Sequence, residues 1–321
     1  MKNVAAVTIS QTLLAAACLS ATAAFAAPSL DLTQVRVDDP TKPAAVPAGY
    51  VVTPYGYFHP SCVQQLDTSE QLRQDGSVLR ADGSIRQVEA CTHPAFLRDG
   101  TRVEPTDEAN RMVREPSTYN GYLQLISATT SSGANKLTAT FTVPANPSSV
   151  SGQTVYFFPG LEDAQDVVTI LQPVLGWGAS GSNPNWSIAS WNCCKSGSTY
   201  VGNFVNVNAG DKIYGEMVNT SGQTWEVYTK DMTQKSLKTA TLKTQSWGQT
   251  FDWIFAGALE TYGISSCNQF PASGPIQFGN IKTYIGGSVV SPSWGITSGS
   301  GSPSTCTSAQ VINTNTVDIN Y

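Results

Sequence analysis

The chain has 321 residues, a net charge of −5 and only 13% charged side chains, so it offers no basic surface for nucleic acid or an anionic membrane. It has no arginine beyond Arg114, and both histidines, His59 and His93, lie earlier still. A Ser/His/Asp triad, a Cys/His pair or a multi-histidine metal site therefore cannot be built from residues 117–321 alone.

Lys2, the apolar stretch from Leu13 to Cys18 and the small-x-small sequence Ala24-Phe25-Ala26 have the layout of an export signal. Residues 1–26 are read as that signal, which makes the product secreted: extracellular, or periplasmic in transit. No later run reaches the roughly 18 apolar residues of a membrane-spanning helix, so no membrane partner is expected. Without Cys18 six cysteines remain, and an even number in an oxidising compartment favours disulfides over metal or thiol chemistry. Cys62 and Cys91 fall early, whereas Cys193, Cys194, Cys267 and Cys306 fall late. One early bridge and two late ones are expected, with the late connectivity left open. The sequence has no Gly-rich phosphate loop before a helix, no Asp-x-Asp-x-Asp calcium loop and no Cys-x-x-Cys pair, so no metal and no cofactor is expected.

Composition shifts near Pro116. Residues 27–116 carry eight arginines, one lysine and thirteen acids, against eight lysines and ten acids in residues 117–321. The turn dipeptides Asp75-Gly76, Asp82-Gly83 and Asp99-Gly100 mark the early stretch as a small separate segment, a propeptide or an accessory unit. An arginine-rich propeptide over an acidic cleft is expected to loosen as the carboxylates protonate.

Residues 117–321 are long enough for one domain with a full core. Leu137-Thr138-Ala139-Thr140-Phe141-Thr142-Val143 alternates apolar residues with Thr and stops at Pro144, as a half-buried strand does. Further strands are expected at 154–158, 166–174, 201–207, 212–218, 224–230, 236–243, 251–261 and 275–285. Helical periodicity never lasts beyond two turns. Many short strands at this spacing predict an all-β fold, an antiparallel sandwich.

Two polar residues stand in strand-like apolar surroundings. In Asp252-Trp253-Ile254-Phe255-Ala256-Gly257-Ala258-Leu259-Glu260, period two puts Trp253, Phe255 and Leu259 on one face, and Ile254, Ala256, Ala258 and Glu260 on the other. Small residues would then surround the acid, as the floor of a polymer groove requires. Gln172 ends the run Val167-Val168-Thr169-Ile170-Leu171, where an amide can hold water and donate to a developing oxyanion.

Taken in order, Thr140-Phe141-Thr142-Val143-Pro144, Phe158-Pro159-Gly160-Leu161-Glu162-Asp163, Ile170-Leu171-Gln172, Ser190-Trp191-Asn192, Asn208-Ala209-Gly210-Asp211, Ala258-Leu259-Glu260 and Phe278-Gly279 form a pattern over roughly residues 135–285. This pattern resembles the eqolisins, secreted glutamic peptidases with a concanavalin-like sandwich and a Gln/Glu dyad. Differences from the family pattern are Cys193 and Gly176 in place of acids, Phe158 in place of tryptophan, and Trp253 seven residues before Glu260. The resemblance implies an acid-active endopeptidase, a monomer acting on polypeptides. Glu260 would be general base and then acid on a water, and Gln172 the oxyanion donor. Trp191, Phe158, Glu162 and Asp163 would shape the substrate groove and its polar network.

Two other functions suit such a sandwich. A lectin-like binder would use Trp177, Trp186 and Trp191 as stacking platforms for sugars. A glycoside hydrolase needs a second acid near Glu260, supplied here only by a neighbouring strand.

Overall fold

The computed structural model describes residue 35 and residues 42–105, 122–165, 170–180, 184–194, 197–233, 238–299 and 304–321. The expected signal at 1–26 and the segment boundaries after residues 26 and 116 lie outside these residues.

The early segment contributes β1 (Val51–Thr53), β2 (Gly56–Phe58), β3 (Val63–Gln65), β4 (Gln71–Leu72), β5 (Val78–Leu79), β6 (Ile85–Arg86), β7 (Ala95–Phe96) and β8 (Arg102–Val103). The body begins with β9 (Tyr122–Thr129), β10 (Lys136–Thr142), β11 (Thr154–Glu162), β12 (Ile170–Trp177), β13 (Trp186–Cys193), β14 (Thr199–Val201) and β15 (Val205–Val207). It continues with β16 (Lys212–Ser221), β17 (Thr224–Asp231), β18 (Lys238–Gln245), β19 (Trp253–Tyr262) and β20 (Ile276–Ile285). The last strands are β21 (Ser288–Val290), β22 (Gly295–Ser298), β23 (Ser308–Asn313) and β24 (Thr316–Asn320). Among the described residues helix is confined to three-residue 3-10 turns, as at Pro60–Cys62.

Two large sheets pack face to face as the expected sandwich. One has nine strands in the order β22-β9-β19-β11-β12-β13-β14-β3, with β15 on β13. The other has eleven, β23-β24-β20-β10-β16-β17-β18-β4-β5-β6, with β21 on β20. Leu137, Phe141, Phe157, Leu171, Leu175, Trp186, Ile188, Met217, Val227, Leu259 and Phe278 fill the space between them.

Burial patterns separate the sheets. Strand β17 alternates buried and half-exposed positions, because one face of the eleven-stranded sheet meets water. Strands β11, β12, β13 and β19 are buried at every position, so they are covered on both faces. Their second cover is the early segment. It supplies Val51, Val52, Tyr55, Tyr57, Phe58 and Phe96 to an apolar layer with Tyr156, Phe158, Val174, Trp191, Phe255 and Tyr262.

The early segment, separate in composition, is joined to the sandwich in space. Strand β3 adds in parallel to β14, and β4 in parallel to β18, so the segment extends both sheets. Strands β1, β2, β7 and β8 form a four-stranded sheet of their own. Cys62 bonds Cys91 inside the segment, and Cys267 bonds Cys306 beyond β19. With Cys267 and Cys306 paired, the adjacent Cys193 and Cys194 are left to each other.

Gly202 follows β14 and donates its N–H to the Ser190 carbonyl at 3.0 Å. A Cβ there would lie 2.1 Å from the backbone oxygen of Thr241, which cannot swing aside as a side chain can. Gly202→Ala is therefore expected to destabilise the fold by about 3 kcal/mol, the scale of overpacking in a rigid site. A loss of less than about 1 kcal/mol in urea unfolding would show that the two backbones can move apart at little cost.

A buried candidate active site under the early segment

Strand β19 does not keep the simple alternation expected of it. Its pairing with β11 runs Phe158 opposite Ala258 and then Gly160 opposite Phe255, so one extra β19 residue is inserted between these pairs. Such a bulge exchanges the two faces beyond it. Ile254, Ala256 and Leu259 thus point into the core between the sheets, while Trp253, Phe255 and Ala258 point to the other face. Glu260 follows core-facing Leu259 and shares that other face with Ala258, as expected, and with Trp253 and Phe255, which take the places strict period two gave to Ile254 and Ala256.

Gln172 reaches the same face by the same logic. Its neighbour Leu171 lies in the inter-sheet core, and its cross-strand partner Trp191 belongs to the covered layer. Pairing of Phe157 with Leu175 and Leu161 with Leu171 carries Gln172 level with Gly160 on β11. Glu260 is opposite Tyr156, and Glu162 ends the same strand opposite Trp253. Along β11 the glutamine level therefore falls between the two glutamates. Gly160 has to be small here, because a Cβ would meet the Phe255 ring at 3.0 Å and Ile170 at 3.3 Å.

All three polar side chains are 0% exposed. Neither carboxylate oxygen of Glu162 or Glu260 and neither polar atom of Gln172 has a hydrogen-bond partner. Buried polar groups are ordinarily satisfied, and leaving one unmade costs on the order of 1–3 kcal/mol, more for a charge. Three such groups on one face make this the candidate site.

Burial holds the Glu260 carboxyl well above the ordinary value of 4.5; the Arg98 charge pulls it down and Glu162 pushes it up. Glu162 is raised in the same way, by burial first and by Asp163 second. Both acids thus bind their protons more tightly in the covered fold than in the unfolded chain. Their contribution to stability is complete below the unfolded value and is lost as pH rises through the folded values. Through these two carboxyls acid holds the cover in place, the opposite sign to that of an arginine-paired carboxylate. Among the described residues four of the segment's five arginines are paired inside it, Arg86 and Arg80 on Glu70, Arg102 on Glu104 and Arg73 on Asp75, and desolvation of Glu260 outweighs Arg98. Limited proteolysis of the early segment is accordingly expected to accelerate between pH 5 and pH 8 beyond the change seen in Glu260→Gln; an identical pH dependence in the two proteins would contradict this sign.

The other expected groove residues divide. Phe158, opposite Ala258, and Trp191, opposite Gln172, belong to the covered layer. Glu162 shares their face. Asp163 does not join them: it leaves the strand and accepts from Gln165 N at 2.8 Å and Thr250 N at 2.7 Å, bracing two loops. Trp177 and Trp186 meet ring to ring at 5.4 Å in the core between the sheets, 3% and 1% exposed, so they offer no sugar platform. Buried on both sides, their strands left no alternation to reveal this.

Sequence reasoning missed the covering residues. Tyr55 lies edge-on to Trp191 at 6.2 Å, Tyr57 edge-on to Tyr262 at 5.3 Å, and the Tyr156 hydroxyl donates to the Val52 carbonyl at 3.3 Å. The tyrosine-rich stretch Tyr50–Phe58 was the available signal. Among the described residues no group of three or more His, Cys, Asp or Glu side chains has the geometry to hold a metal ion.

No protein-family model and no curated protein matches the chain. Solved structures do. The chain is similar to scytalidoglutamic peptidase bound to a peptide-based transition state analogue, at 18% identity over 62% of this chain and 98% of that one, with a TM-score of 0.47. It is similar to SCP-B, a member of the eqolisin family of peptidases in complex with the tripeptide Ala-Ile-His, at 18% identity over 63% and 98%, TM-score 0.46. Aspergilloglutamic peptidase from Aspergillus niger aligns at 16% identity over 52% and 98%, TM-score 0.39.

Proposed function

We propose that the sandwich is a secreted glutamic endopeptidase, acid-active and held latent by its early segment, with residues 27–116 as the propeptide. The observation that carries this reading is the unpartnered, fully buried pair Gln172 and Glu260 on one face of one sheet, beneath the early segment. The eqolisin-like sequence pattern supports it.

In this reading a peptide lies across β11, β12 and β19 once the cover has gone. Water then reaches Glu260, and loss of desolvation brings its acid strength back toward an ordinary carboxylic acid. The carboxylate takes a proton from a water, whose oxygen attacks the scissile carbonyl, and the Gln172 N–H donates to the oxyanion that forms. Glu260, now protonated, delivers that proton to the leaving amine as the C–N bond breaks. In the covered state burial favours the protonated carboxyl, which cannot act as the base, and the early segment lies over the strands that would bind the peptide.

A second reading is favoured by one observation. Glu162 lies on the same face as Glu260 and on the adjacent strand, and two acids across a groove are also the apparatus of glycoside hydrolysis. Gln172→Ala separates the two. The peptidase reading expects a kcat loss of about 10²–10³-fold with KM little changed, the usual effect of removing an oxyanion donor. Hydrolysis of a soluble glucan, lost in Glu162→Gln as well as Glu260→Gln but spared in Gln172→Ala, would sink the peptidase reading.

A further inference from the structure

We propose that the groove selects aromatic peptide side chains, with Trp191 and Phe204 forming a pocket for one of them beside Gln172; this rests on the peptidase reading above. The chain's own early segment displays the occupant. Tyr55, 5% exposed, meets Trp191 edge-on at an interplanar angle of 78°, and Trp191 in turn meets Phe204 edge-on at 5.9 Å and 82°. Trp191 is the direct cross-strand partner of Gln172, so the phenol of Tyr55 sits one strand position from the oxyanion donor.

Tyr57 stands at the other end of the site. Its ring packs against Tyr262, two residues past Glu260, and Tyr262 also meets Tyr156, the cross-strand partner of Glu260. Tyr55 and Tyr57 thus straddle the two polar residues, with Gly56 between them. Gly56 answers to its own sheet, since its φ is +127° and a Cβ would lie 2.2 Å from the Phe96 carbonyl oxygen. The flanking tyrosines answer to the groove. Edge-to-face geometry is what aromatic rings prefer over a flat stack, and an aliphatic side chain has no ring edge to present to the indole. Substrates are therefore polypeptides with Phe, Tyr or Trp close to the scissile bond.

The test uses the full chain with a specific protease site placed within residues 106–121 and cut there. Digestion of a mixed peptide library is expected to give Glu260-dependent cleavage enriched about tenfold or more in aromatic residues at one position near the scissile bond, and Trp191→Leu is expected to erase that enrichment. Glu260-dependent cleavage without aromatic enrichment overturns the proposal. If no cleavage depends on Glu260, the peptidase reading falls, and binding alone decides the pocket. Acetyl-Tyr-Gly-Tyr-amide is expected to bind the cut protein at least about tenfold more tightly than acetyl-Ala-Gly-Ala-amide, a difference lost in Trp191→Leu. Equal affinity for the two tripeptides overturns the pocket whatever the activity.

Discussion

Glu260→Gln is expected to lower peptide hydrolysis by the uncovered sandwich about 10³-fold or more. A positioned general base is typically worth 10²–10⁴-fold, and in the proposed mechanism one carboxyl serves both proton transfers, so the amide replaces neither. The substitution keeps the shape of the side chain at a position where every neighbour is packed. Its effect on folding points the other way from its effect on rate: the neutral amide has no ionisation to resist burial, so above pH 5 the covered fold is expected to hold or gain stability. Rates on a quenched peptide, taken beside urea unfolding of the same samples, check both halves. Unchanged turnover, or turnover lost together with the fold, would remove Glu260 from the mechanism.

Separation of the early segment is expected to have the second large effect. With Gln172, Glu162 and Glu260 at 0% exposure, turnover in the intact chain requires the cover to open. An opening free energy of about 4 kcal/mol limits the open fraction to about one molecule in 10³, so cutting within residues 106–121 and diluting is expected to raise activity by up to that factor. Tyr55 and Tyr57 are the anchors to weaken. Phe/Trp→Ala truncations in packed sites cost about 3–5 kcal/mol, so Tyr55→Ala with Tyr57→Ala is expected to raise the activity of the uncut chain many-fold. Equal activity in cut and uncut protein would show that this layer is not a barrier.

How far these features were legible in the sequence depends on what each strand faces. Strand β10 was plain, because Thr and apolar residues alternate where one side of the sheet meets water and the other the core. Strand β13 was not, since Trp186–Cys193 is buried at every position and its two rings, Trp186 and Trp191, face different layers. The positions of Gln172 and Glu260 in apolar strands could be read directly, as could the one early bridge. Their shared face followed only once the bulge near Phe255 was placed, because one inserted residue reverses everything beyond it. Composition revealed the early segment but not its packing: turn dipeptides mark loops, whereas the docking is made by Tyr55, Tyr57 and the β3 and β4 ladders, which are long-range contacts.

The most direct test of a latent Gln/Glu peptidase is the appearance of new N-termini in denatured casein incubated between pH 3 and pH 6 with the cut protein, its early segment first separated at pH 8, followed by mass spectrometry. Peptides that accumulate with the cut wild type, and not with the uncut chain or with cut Glu260→Gln, are the predicted result. Equal casein fragmentation by cut wild type and cut Glu260→Gln, or none at any pH from either, would contradict the assignment.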